Sequence, residues 1–103
     1  MKLTDILIEG KAFDEFVETR MKGAEKIATT AKEKGGPSML TYHHFKVKLP
    51  YYEKASKGNF DFEAAKKEFK ETLSKISLEM DQTTFQREVG RLEVLGELII
   101  KND

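Results

Sequence analysis

The sequence predicts an all-α domain, a compact bundle of about four helices, and three observations carry that reading. Apolar residues recur at helical spacing through three separate segments, 12–34, 62–76 and 81–100. Residues that start and stop helices stand at the ends of those segments: Gly35-Gly36-Pro37 after the first, Asp61 and Asp81 before the other two. Strict alternation of apolar and polar residues is confined to Phe45-Lys46-Val47-Lys48-Leu49, so any extended segment is short and lies there or at the C-terminus.

Met1 to Gly10 reads as an N-terminal arm separate from the domain formed by residues 11–103, because Gly10 interrupts the pattern and Thr4 or Asp5 can cap a short turn. Its apolar residues Leu3, Ile6 and Leu7 suit packing on the body or on a neighbouring subunit. From Ala12 to Lys34, Phe13, Phe16, Val17, Met21, Ala24, Ile27, Ala28 and Ala31 form one stripe opposite a charged face. Gly35-Gly36-Pro37 is a stop, and Ser38 can cap the element that begins next.

The segment 38–58 is the ambiguous one. Residues 45–49 alternate as a short strand would, but Met39, Leu40, His43 and Val47 suit a helix, and a helix to about Lys48 is the favoured reading. Pro50 either starts a new turn through Tyr51 to Lys57 or kinks one longer helix. Asp61 caps the next helix, with Phe62, Ala65, Phe69, Leu73 and Ile76 as its buried stripe. Asp81 caps the last, whose face of Phe85, Val89, Leu92, Leu95 and Ile99 is what the rest of the chain packs around. Gly96 is placed to end that helix early and leave an extended tail.

At 103 residues the chain suits one domain with one modest core. With 39% hydrophobic and 35% charged residues it has the composition of a globular protein rather than a disordered one. No apolar run reaches membrane-spanning length, and the N-terminus lacks the apolar core of a secretory signal. Cysteine is absent, which fits a reducing cytoplasm and removes thiolate ligands and nucleophiles. The net charge is zero, yet residues 32–57 hold six Lys against Glu33 and Glu53, so the middle is basic.

That middle also holds every Tyr and His. Tyr42, His44, Lys46, Lys48, Tyr51, Tyr52 and Lys54, with Phe45 and Lys57, have the composition of a surface on which bases stack and phosphates are neutralised; the alternative is that the aromatic residues belong to the core and the lysines to solvent. His43 and His44 are adjacent and so point about 100° apart on a helix, a poor arrangement for gripping one metal ion. The carboxylate pairs Glu15 with Glu18, Glu68 with Glu71 and Glu93 with Glu97 read as surface charge. Ser38 after Gly35-Gly36-Pro37 can present N–H groups to an anion, or can simply mark a helix start. No nucleophile stands with a base, so no enzyme, cofactor or metal is expected. A second reading takes 62–97 as a helix-turn-helix, with Thr83, Thr84, Gln86, Arg87 and Arg91 facing base edges. Against it, Glu88, Glu93 and Glu97 on the same helix repel phosphates. A third is a small homo-oligomeric module joined through an apolar helix face.

Leu7-Ile8-Glu9-Gly10 resembles the cleavage site of the prohead protease of T-even-type tailed phages, which takes Leu or Ile, any residue, Glu, then a small residue. Its place also fits, since internal head proteins of those phages begin Met-Lys and carry a removable targeting peptide of about this length. The body, including GGPSMLTYHHFKVKLPYY, resembles small proteins of marine tailed phages. The resemblance implies a phage accessory or internal head protein that binds phage DNA or another protein. It would reside in the host cytoplasm or be packaged in the virion, with Leu7, Glu9 and Gly10 marking the processing site.

Overall fold

A computed structural model describes residues 3–102 of the chain, and the side chains of residues 12–101. The candidate processing residues Leu7, Glu9 and Gly10 therefore lie outside the described side chains. Five helices follow one another: α1 (Leu3–Lys34), α2 (Ser38–Lys46), α3 (Leu49–Ser56), α4 (Phe62–Lys75) and α5 (Gln82–Asn102). No strand occurs among the described residues, and none of their helices is long and apolar enough to cross a membrane. The bundle is all-α, as the periodicity predicts.

Two boundaries differ from the sequence reading, each for a local reason, and between them the ambiguous segment 38–58 resolves to helix as favoured. The first helix starts at Leu3 and runs through Gly10, because one glycine in a helix costs only about 1 kcal/mol and does not enforce a break. The alternating residues 45–49 are not a strand: α2 ends at Lys46, Val47 and Lys48 keep right-handed helical angles, and α3 begins at Leu49 with Pro50 in its first turn. Proline has no N–H to continue the helical ladder, so one helix becomes a bent pair. At the other end Gly96 does not stop α5, which continues to Asn102. A Cβ at Gly96 would lie 3.4 Å from Phe69 Cε2, so the small residue serves the α4–α5 contact rather than a cap.

The stop after α1 is the expected one. Gly35 and Gly36 take φ of 63° and 54°, the left-handed region that glycine enters freely, and Gly35 N–H donates to Ala31 O at 3.0 Å. Ser38, however, is the first residue of α2 and makes no side-chain cap; Pro37 is its N-cap. The N–H groups of Ser38, Met39 and Leu40 donate instead to the carbonyls of Gly35, Gly36 and Pro37. With those donors engaged, the start of α2 offers little to an anion. Asp61 and Asp81 do cap α4 and α5, accepting from Ala64 N–H and Thr84 N–H at 3.0 Å each.

α1 packs against α2 and α3, while α5 lies between the α2–α3 bend and α4 and reaches α1 as well. The fold measures 51 × 31 × 16 Å, with the 32-residue α1, about 48 Å at 1.5 Å per residue, setting the long dimension. Val17, Ala24, Tyr52, Ala55, Val94 and Leu98 form the central cluster, with Phe13, Phe16, Met21, Phe45 and Phe60 against it. Because α5 is flanked on two sides, Val94 and Leu98 are buried along with Leu95 of the expected face. On α4 Ala65 of the expected stripe is buried, but nearer the end of the helix the buried position is Thr72 rather than Leu73, which is 54% exposed.

Candidate functional site

The most organised chemistry in the molecule is a polar seam where α2 and α3 meet α5. Two residues shape it before any polar group acts. Pro50, in the first turn of α3, breaks the helical ladder just after the buried Lys48, and Gly90 lets α5 approach closely enough that a Cβ there would fall 2.3 Å from His44 O. Across this approach Glu93 receives two partners, His44 Nε2 at 2.9 Å and Lys48 Nζ at 3.2 Å. His44 Nδ1 lies 3.2 Å from Gln86 Oε1, so both ring nitrogens face oxygens of α5. The Lys48 side chain is only 5% exposed and its ammonium stands 4.9 Å over the Phe45 ring. One turn on, Tyr52 O–H donates to Glu97 Oε2 at 2.6 Å; on the α4 side Tyr51 O–H donates to Glu68 Oε1.

These contacts redistribute the expected aromatic and basic patch. Tyr52 and Lys48 are buried, at 2% and 4% exposure, and cannot meet a ligand at the surface. His44 and Tyr51 are half-buried and engaged with α5 and α4. What remains outside is Lys54 and a small group around Tyr42, whose hydroxyl oxygen accepts from Lys46 Nζ at 2.6 Å while Lys32 Nζ lies 5.6 Å from its ring. The five candidate reader residues are likewise dispersed. Gln86 faces His44, Arg91 Nη1 donates to Glu88 Oε1 at 2.8 Å, and Thr84 bonds Asp81. Arg87 is exposed beside His43, with Nη2 3.5 Å from Nδ1, and Thr83 is half-buried.

Of the carboxylate pairs, Glu15, Glu18, Glu71 and Glu93 are exposed as expected, while Glu68 and Glu97 are half-buried. Glu68, Glu93 and Glu97 read as surface charge, yet each accepts a bond from the bend between α2 and α3 or from α3. Their spacing carried a signal, since Glu93 and Glu97 share one face of α5 with Gln86 and Gly90. No group of three or more His, Asp or Glu converges to hold a metal among the described residues, and His43 and His44 turn to different partners.

The tyrosines titrate apart as a result. Burial, reinforced by the Glu68 carboxylate, pushes Tyr51 up to about 12, and burial with Glu97 raises Tyr52 as well, whereas the bond from Lys46 lowers Tyr42. A phenol whose folded pKa is raised stabilises the fold fully below its unfolded value of about 10 and loses that contribution as pH climbs. For Tyr51 the loss runs up through about 12. Phenolate absorbance should therefore show one tyrosine ionising early in the folded protein and two only as it unfolds in alkali. Three ionising together with the helical circular dichroism intact would contradict this placement.

A cleft of about 100 Å³ lined by Tyr51, Asn59, Phe60, Asp61 and Leu95 lies under the α3–α4 loop, below the usual size of a small-molecule site. Wider and shallower grooves flank α1. Comparison with known proteins returns no match, whether to a family, to a curated protein or to a solved structure.

Proposed function

We propose that this chain is a non-enzymatic binding protein whose surface is suited to protein rather than to nucleic acid, acting as a phage accessory or internal head protein. The observation that carries the binding part is how its chemical groups divide. Lys48, Tyr52, Gln86 and Glu93 are engaged in holding helices together, while the side chains left outermost include apolar ones, Leu78 at 95%, Ile100 at 79% and Leu73 at 54% exposure. Leu73 and Leu78 stand together at the end of α4 and in the turn after it, and it is exposed aliphatic residues gathered in one place, not single ones, that mark a contact surface. The phage part rests on the likeness of Leu7-Ile8-Glu9-Gly10 to a prohead cleavage site.

The test is incubation of the full chain with a T-even-type prohead protease, read by intact mass. Cleavage after Glu9, leaving a folded remainder that begins at Gly10, is the expected result. A chain left whole under conditions that process an authentic internal protein would sink the internal-protein reading.

A further inference from the structure

We propose that the groove between α1 and α2 of one copy of this chain receives the turn bearing Leu78 from a second copy. The groove, about 320 Å³, has Ile27 and Ala31 along its base, Lys26 and Lys34 beside them on α1, and Ser38 and Thr41 on the α2 side. Ile27 belongs to the apolar stripe of α1 yet is 40% exposed, because α2 leaves it uncovered. No carboxylate lines the groove, and neither lysine has an ion-pair partner among the described residues.

The turn between α4 and α5 is its counterpart. Ser77 Oγ accepts from Glu79 N–H at 3.1 Å and Ser77 O accepts from Met80 N–H at 3.2 Å, so the turn is held by its own bonds. It presents Leu78 outward at 95% exposure, beside Glu79, which also has no ion-pair partner among the described residues. An apolar knob with an acidic neighbour thus faces a basic-edged hollow with an apolar base. Leu78 is too exposed to occupy the groove of its own copy. In a chain of zero net charge the complementary surface is present on every other copy at the same concentration. The contact draws on the binding reading above only in leaving surface for a partner, and a negative result here leaves the prohead-protease test untouched.

Sedimentation of the full chain from micromolar to millimolar concentration at low salt tests it. The wild type should gain mass with concentration, and less so at high salt, as the lysine and glutamate charges are screened. Leu78→Asp and Ile27→Asp should each raise the dissociation constant by about tenfold or more, with circular dichroism unchanged because both side chains are at the surface. An equimolar mixture of the two variants should restore a 1:1 complex, since the intact groove of the first meets the intact turn of the second. Glu79→Lys should weaken association, and adding Lys26→Glu should recover it. A wild type that stays monomeric, a Leu78→Asp variant that associates normally, or a mixture that fails to pair would each overturn the proposal; capture of a different protein by a monomeric chain would assign the groove to that partner instead.

Discussion

Gly90→Ala is expected to lower the unfolding free energy by about 2–4 kcal/mol, which for a domain of this size is a fall in Tm of roughly 10 °C or more. A Cβ at this position would sit 2.3 Å from His44 O and 2.7 Å from Val47 Cγ1. The first of those atoms is backbone and cannot swing aside, so α2 and α5 must separate, and every polar bond between them lengthens. Alanine's better helix propensity returns only about 1 kcal/mol. Gly23→Ala is the matched control: it lies exposed in α1 with nothing within 4 Å of a new Cβ, so the propensity gain should appear undiluted as a small stabilisation. Urea unfolding of the two variants decides the matter. Equal shifts of the same sign would mean that α5 does not approach α2 closely enough to exclude a methyl group.

The second large effect is an asymmetry within one ion pair. Glu93→Ala should cost about 2–3 kcal/mol, whereas Lys48→Met should be close to neutral. The reason is the unequal burial of the partners, 5% side-chain exposure for Lys48 against 47% for Glu93. Removing the lysine leaves a carboxylate that still has His44 and can reach water. Removing the carboxylate strands an ammonium beside the Phe45 ring, and takes the Nε2 partner from His44 at the same time. Methionine keeps the unbranched stem that packs there. Chemical denaturation of both single variants and the double variant gives the coupling directly; a Lys48→Met loss as large as that of Glu93→Ala would refute the argument.

Lys48 also marks where the sequence stops being informative. Helices α1, α4 and α5, the caps at Asp61 and Asp81, and the glycine stop after α1 are all written locally, in periodicity and in residues with fixed backbone habits. The buried lysine is not, because what permits it is an acid forty-five positions away, and no local pattern distinguishes it from Lys46 two residues earlier, which is exposed. Tyr52 and Glu97 are hidden in the same way. The two glycines of α5 mislead for a related reason: read alone each weakens a helix, but Gly90 is the close contact with α2 and Gly96 the contact with Phe69. Thr72 in place of Leu73 is a smaller case: the rest of the expected stripe of α4 turns inward, but at this one turn a threonine packs and the leucine beside it faces solvent. The candidate ligand patch was therefore legible as a set of residues but not as a surface.

The spacing of the seam along α5 has a consequence for register. Apolar helix faces are tolerant of sliding, since one leucine fits where another did. Here the positions that meet α2 and α3 are Gln86, Gly90, Glu93 and Glu97. Shift α5 by one turn in one direction and Val94 enters the slot that admits only glycine, while Lys101 replaces the acceptor of Tyr52. Shift it the other way and Gln86 meets that slot, with Val89 facing the lysine. A single alignment of α5 therefore satisfies both the close contact and the charges, and the near misses that a purely greasy bundle would populate during folding are excluded by four residues on one helix.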